Sequence, residues 1–377
     1  MQIIKQEVKL IMEISDMNII LEKITQLRRE LHKMPEASMR EYRTKQTIAD
    51  FISRSTSLKA VDCGAWFYVV KEADKSVGKG AVAFRADMDA VCGKDGRPGH
   101  YCGHDGHSSI LAGLAMVLDR AETDRDVYFI FQPGEETGEG AKLCAELIDE
   151  KGIEEIYGLH NIPGHALGHV LVSEGTFACA STGLEISMHG TPSHAAYPEA
   201  GINPGPALAK LLLDVQELTA RVNESEGFVL MTLIGMDIGS ASYGVAASEG
   251  VLRLTVRGDK ETVFDSYLKR IYELAKRAAK EAGALVEIKE IERFPAAENH
   301  SGNVQKLIEC ADRIGLHVEK LAEPMRWSED FGWYLMRTKG AFFGIGDGEN
   351  YAQLHTKDYE FPDEIMEDAI RLFAELI

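Results

Sequence analysis

The stretch Gly99-His100-Tyr101-Cys102-Gly103-His104-Asp105-Gly106-His107 decides how the rest of this chain is read. Nine residues hold three imidazoles, a thiol and a carboxylate, interleaved with three glycines. Thiolate and imidazole together favour zinc and its neighbours among the divalent ions. Glycine lets the backbone bend so that close-spaced side chains can face one point. The spacing is not Cys-x-x-Cys and no second cysteine pair follows, which argues against a structural zinc knuckle.

On either side of this stretch the chain alternates between β-like and helical runs. Ile20, Ile24, Leu27 and Leu31 mark one face of a helix that Pro35 ends, and a second helix is predicted near 43–52. Ala81–Arg85 reads as a short strand that delivers Asp87 and Asp89 just past its end. After the central stretch comes an apolar helix carrying Ile110, Leu111, Leu114, Val117 and Leu118. Val127–Phe131 reads as the next strand, breaking at Pro133-Gly134 before Glu135 and Glu136; a helix over about 141–149 and a strand Ile156–Leu159 ending on His160 follow. Each strand thus ends on a carboxylate or an imidazole. Alternating strand and helix implies an α/β fold with a mainly parallel sheet, and such sheets hold ligands outside the carboxyl ends of their strands.

From about residue 181 the order becomes β-α-β-β-α-β: strands 182–189, 229–235, 251–257 and 285–292, with helices near 206–221 and 263–283. That is the ferredoxin-like split unit, and it predicts an α+β domain of residues 181–292 inserted into a catalytic domain of 1–180 and 293–377. Beyond it come a helix near 304–314, a helix opening at Ser328-Glu329-Asp330, a strand Ala341–Ile345, a loop 346–353 leading to His355, and a final helix opened by Pro362.

Bulk properties narrow the function. The 377 residues carry a formal net charge of −19, with 45% hydrophobic and 27% charged residues. That balance argues against nucleic-acid binding and against adhesion to an anionic membrane. No stretch approaches the length of a transmembrane helix. Met1–Glu13 mixes charges among its apolar residues and does not read as a signal peptide, and the six scattered cysteines give no disulfide framework; both point to a cytoplasmic protein.

The metal-capable side chains are Cys102, His104, Glu136, His160 and His355. Five groups exceed what one catalytic zinc needs, and two ions sharing a water fit them better. Glu135, beside Glu136, is then placed to take a proton from that water. Taken alone, several of these residues have plainer readings: Cys102 as a buried structural thiol, His160 as a core histidine, and Arg257 as either a structural ion pair or a clamp for a substrate carboxylate.

Longer motifs add a resemblance. Asp87-Met88-Asp89-Ala90, His100–His107, Gln132-Pro133-Gly134-Glu135-Glu136 and Ser328-Glu329-Asp330-Phe331 resemble the aminoacylase and carboxypeptidase family of dinuclear metallohydrolases. The branch they look like cleaves N-acyl and indole-acetyl amino acids. Arg28–His32 with Pro35-Glu36, and Gly190–Pro198 in the insert, extend the likeness over nearly the whole chain. The resemblance implies a metallopeptidase-like catalytic domain with a ferredoxin-like lid and dimerisation insert. It implies two divalent ions per subunit (zinc, manganese, cobalt or nickel) held by Cys102, His104, Glu136, His160 and His355. By the same likeness Glu135 is the general base, Asp89 orients a metal ligand, and His194 polarises the scissile carbonyl, often from the other subunit of a homodimer. The implied reaction is hydrolysis of a small N-acyl amino acid or related amide. A dipeptidase or carboxypeptidase on the same site, or a binding homologue that has lost catalysis, are the alternatives. The sequence departs from the branch in a short 89–100 segment, in Tyr197-Pro198-Glu199 and at Tyr243-Gly244, all on the substrate side.

Overall fold

A computed structural model describes residues 14–75, 78–93 and 95–377. The expectation about Met1–Glu13 therefore lies outside the described residues. The described residues fold into two units: those up to Gly175, with 299–322 and 333–377, form one, and residues 176–298 with 323–332 form the other.

The first unit is built on an eight-stranded sheet. At its centre Val127–Gln132, Ala81–Asp87, Ile153–Pro163 and Lys339–Gly348 run parallel, in that spatial order. Every residue of Ala81–Asp87 and Val127–Gln132 is buried, as expected of strands covered on both faces. The sequence pattern predicts these strands but cuts some short. Ile153–Pro163 runs three residues past His160, and Lys339–Gly348 extends past Ile345. The pattern gives no sign of the flanking strands Lys59–Asp62, Phe67–Lys71, Val170–Val172 and Val318–Lys320, which complete the sheet. These are short, and Lys59–Asp62 is exposed along its whole length, so no apolar run marks it.

Helix Ile14–His32 buries Ile20, Ile24, Leu27 and Leu31, the face its periodicity predicts. It packs on His104–Asp119, whose residues are buried from His104 to Leu118. A helix enclosed on all sides explains why that sequence is apolar around its whole circumference. Phe84 sits in the same core, its ring 4.9 Å from Phe373 and 6.0 Å from Tyr157.

In the second unit Val229–Ile238, Glu249–Gly258, Ala180–His189 and Leu285–Phe294 form an antiparallel sheet in that order. Read from the Leu285–Phe294 edge and numbered along the chain, this is the 4-1-3-2 arrangement of a ferredoxin-like unit, with helices Gly205–Ser225 and Glu261–Ala282 supplying its crossovers. Residues 323–332 group with this unit, whereas the sequence pattern assigns them to the first. Their backbone explains it: Cys179 N–H donates to the carbonyls of Met325 and Trp327 at 3.0 and 3.1 Å. The helix expected to open at Ser328 does not form. Arg257 donates to Ser328 Oγ at 2.8 Å, engaging the hydroxyl expected to cap it, and the one-turn helix Gly332–Leu335 starts four residues later.

Among the described residues no helix is long and apolar enough to cross a membrane. The core makes a direct stability prediction: Phe84→Ala should lower the unfolding free energy of the first unit by about 3–5 kcal/mol, read as a shift in its denaturation midpoint.

Candidate active site

The carboxyl ends of the four parallel strands carry Asp87, Gln132, His160 with Asn161, and Asp347, so one edge of the sheet collects most of the polar chemistry. The central stretch enters this edge through a sharp turn. Gly103 has φ +96°, and a Cβ there would collide with Asn161 Oδ1, so only glycine fits. The helix then begins at His104, which puts His104 and His107 in its first turn and leaves Cys102 just before it.

Three imidazoles turn Nε2 toward Cys102 and Glu136. His104 Nδ1 faces the Asp89 carbonyl at 3.0 Å and Asp89 Oδ1 at 3.1 Å. Both are acceptors, so Nδ1 carries the proton and Nε2 presents its lone pair. His160 Nδ1 donates to the Asn161 carbonyl at 2.7 Å by the same logic, and its Nε2 lies 3.5 Å from Cys102 Sγ. His355 Nε2 is 3.2 Å from Cys102 Sγ and 3.5 Å from Glu136 Oε1. His355 itself has φ +62°, and its backbone N–H is tied to the Tyr101 carbonyl at 2.8 Å. His104 Nε2 and Glu136 Oε1 sit 3.9 Å apart, buried and without hydrogen-bond partners.

Donors on one four-coordinate ion, at ordinary bond lengths, stand about 3.4 Å from one another. The spacings above match, and the two orphaned buried atoms are what such a site leaves when judged on protein contacts alone. Several groups of three metal-capable side chains lie close together among the described residues, and two of them, Cys102–His104–His160 and Cys102–Glu136–His355, share Cys102. His107 does not join them: its Nδ1 is 2.7 Å from Asp87 Oδ1 and its Nε2 is 2.6 Å from Asn161 Oδ1. Glu135 is buried with Oε2 4.0 Å from His104 Nε2, beside the donors and outside both groups.

The surrounding charges are set by burial and partners. Burial pushes the Cys102 thiol up and drives His160 well below its ordinary range. A divalent cation reverses the first effect, since thiolate is the ligating form. His355, beside Cys102 and Glu136, is raised to about 10. Burial opposes ionisation of Asp87, yet His104, His107 and Arg85 hold it well below the usual carboxylate range.

His194 and Arg257 belong to the second unit. His194 is exposed on the short strand Ser193–His194, and its Nδ1 accepts the Ala196 N–H at 3.0 Å. Arg257 NH1 donates to the Arg326 carbonyl at 3.0 Å and to Ser328 Oγ at 2.8 Å, and among the described residues no carboxylate of its own unit pairs with it. Sequence reasoning misses Ser38, Glu41, Asn161, Asp347 and Tyr359. All sit around the donors, and no local pattern separates such residues from solvated loop positions.

Thiol, imidazole and carboxylate donors gathered at the carboxyl edge of a parallel sheet make the framework of a metal-dependent hydrolase. The family model for Peptidase family M20/M25/M40 matches residues 83–377, and the chain belongs to that family. The chain is similar to an N-acetylcysteine deacetylase from Bacillus subtilis (strain 168), with 27% identity covering 94% of this chain and 96% of the relative. An N-acetyldiaminopimelate deacetylase from Lactococcus lactis subsp. cremoris (strain SK11) is 25% identical, covering 94% and 97%. Among solved structures, a dinuclear metal-binding peptidase of the M20 family from Bacillus subtilis superposes with a TM-score of 0.80 at 25% identity, covering 95% of this chain and 97% of that one. The chain is thus a metal-dependent hydrolase of amide or peptide bonds.

One buried group near the site has a testable pH signature. Asp347 accepts from Asn161 Nδ2 and Tyr359 OH, both at 3.1 Å, while burial raises its carboxyl to about 7. A folded value above the unfolded one means stability present below about pH 3.9 and lost as pH rises through about 7. Asp347→Asn can accept the same two bonds and never ionises. The stability of the variant relative to the parent should therefore increase between about pH 4 and about pH 8, measured by urea denaturation at both.

Proposed function

We propose that this hydrolase removes the acyl group from N-acyl amino acids, releasing a carboxylate and a free amine. The observation that carries the reading is the pair of three-donor groups sharing Cys102, with Glu135 adjacent to both. In this reading two divalent ions, drawn from zinc, manganese, cobalt and nickel, would be held by Cys102, His104, His160, Glu136 and His355. Bound there, such ions polarise an amide carbonyl and lower the pKa of an attacking water.

The chain's own residues do the rest. Glu135 Oε2 accepts the proton of the water and returns it to the departing nitrogen, the two halves of one acid–base task. Asp89 keeps the proton on His104 Nδ1, so that Nε2 remains a donor. Arg257, without a carboxylate partner in its unit, is suited to hold the α-carboxylate of an amino-acid product. His194 is assigned to the developing oxyanion, and its exposure suits a role completed by a second subunit. A homodimer has a natural contact in the edge strand Val229–Ile238, where Leu233, Ile234 and Ile238 are exposed. Deacetylation of N-acetylcysteine and N-acetyldiaminopimelate, the activities named for the relatives, gives the first substrates to try, in a cytoplasmic setting.

Glu135→Gln should lower kcat by about 10²–10⁴-fold on an N-acetyl amino acid while metal content per chain stays at the parental level. Turnover within tenfold of the parent would sink the general-base assignment. Cys102→Ala should lose both turnover and bound metal, measured by elemental analysis after dialysis. Retention of two ions per chain would remove Cys102 from the donor set. A parallel panel of free dipeptides separates deacylase from dipeptidase, since the latter prefers a free α-amino group.

A further inference from the structure

Glu41 is a buried carboxylate that belongs to neither donor group. It precedes helix Tyr42–Ser55 and is 3% exposed. Its Oε1 accepts two backbone N–H groups, from Met39 and from Gly134, each at 2.8 Å. Gly134 opens the turn that carries Glu135 and Glu136, and it has φ +59°. A Cβ on Gly134 would lie 2.7 Å from Met39 Sδ, so the methionine is seated against the turn. Met39 itself has φ +62°, a conformation that a non-glycine residue keeps only where its surroundings over-determine it.

The neighbours of Glu41 reach the same turn from its other side. Ser38 Oγ donates to Asp89 Oδ2 at 2.7 Å, and that oxygen also accepts the Glu136 N–H at 3.0 Å. Ala90 N–H donates to the Glu36 carbonyl at 2.8 Å, so the segment is pinned beside Asp89 as well. Residues 36–41 therefore grip both flanks of the Gly134–Glu136 backbone. No helix or strand ladder holds those three residues; the turn's own bonds use the carbonyls of Gly134 and Glu135, and the clamp takes up the N–H groups of Gly134 and Glu136.

We propose that Glu41 is a positioning residue for catalysis, and that residues 36–41 form a clamp that aims Glu135 at the reacting water. This rests on the reading of Glu135 as the general base. Burial, with Asp89 nearby, raises the Glu41 carboxyl to about 7. Near neutrality it is thus divided between its charged and neutral forms, and a carboxyl oxygen accepts N–H groups in both. Accepting those two bonds, rather than carrying charge, is the role the geometry assigns it. A glutamine, with the same shape and a carbonyl oxygen, should then replace it.

The test compares Glu41→Ala, Glu41→Gln, Ser38→Ala and Glu135→Gln as full-length, metal-loaded proteins on N-acetylcysteine or whichever N-acetyl amino acid the parent turns over. Each is measured for kcat, KM, metal content and thermal midpoint. Glu41→Ala should lower kcat about 10–100-fold with KM and metal content near parental, the signature of a misplaced catalytic group. Glu41→Gln should recover turnover to within about threefold of the parent, and Ser38→Ala should lower kcat several-fold at unchanged KM. A parental kcat in Glu41→Ala or in Ser38→Ala would overturn the clamp. So would loss of metal or of fold that accounts for the drop in Glu41→Ala, or a Glu41→Gln variant as impaired as the alanine. Glu135→Gln separates the two claims: if it stays active, the base assignment fails, whereas if it is inactive and Glu41→Ala is not, only the clamp fails.

Discussion

The carboxylate of Asp89 is the constraint on which the site depends. It is completely buried, a placement that is costly for a charge unless its lone pairs are used. Here they are used: Oδ1 faces His104 Nδ1, while Oδ2 takes the Ser38 hydroxyl and the Glu136 N–H. Burial works against its ionisation, yet His104 and Ser38 hold the carboxyl below its ordinary range. One group thereby sets the tautomer of a candidate ligand, anchors the backbone of another and docks the segment that precedes helix Tyr42–Ser55. A change at Asp89 would be felt at all three places.

Behind the donors lies a second buried chain of polar contacts. Arg85 NH1 donates to Asp87 Oδ2 at 2.8 Å, Asp87 meets His107, and His107 meets Asn161. Asn161 in turn reaches Asp347 and Tyr359. In a low dielectric such a network is rigid when its members are satisfied, and through Arg85 Nε to Gln132 Oε1 at 2.8 Å it reaches all four central strands. The strands are buried where these residues leave them, so the network couples the rigidity of the sheet to the side chains at its edge. Such a network is what would give the candidate donors at that edge the fixed placement that coordination demands.

The legibility of the chain follows the same physics. Helix Ile14–His32 and the strands Ala81–Asp87 and Val127–Gln132 can be read because burial of one face, or of all faces, writes a periodicity into the sequence. The candidate site residues Cys102, His104 and Glu135-Glu136 stand out in the sequence because they lie at element ends, where the pattern breaks. His160 is legible for a partly wrong reason, since its strand does not end there and the imidazole lies within it. Lys59–Asp62 leaves no trace because an exposed edge strand needs no apolar run. The expected helix at Ser328 does not form, and the hydroxyl there accepts from Arg257, a tertiary contact that no local rule contains. Glu41 and Asp347 are invisible for a related reason: a carboxylate in a polar segment reads as solvated until the fold shows what buries it.

The charge balance of the site gives these details a common cause. Asp87, Asp89 and Glu135 are buried, as is the thiol of Cys102, and Glu136 lies beside them. Arg85 is the guanidinium bonded to Asp87 within this group, and the imidazoles that turn Nε2 to the donors are neutral when they ligate. In that ligating state four carboxylates and a thiolate would face the Arg85 guanidinium in a medium that penalises net charge, whereas without an ion a protonated His355 and a neutral Cys102 thiol offset part of it. Neutrality requires that some of these groups take up protons, or that cations of high charge density enter. Two divalent ions would supply about the missing charge. On the proposed reading, the arrangement that would draw ions to the donors also sets Glu135 beside them, so metal binding and proton transfer would share one electrostatic origin.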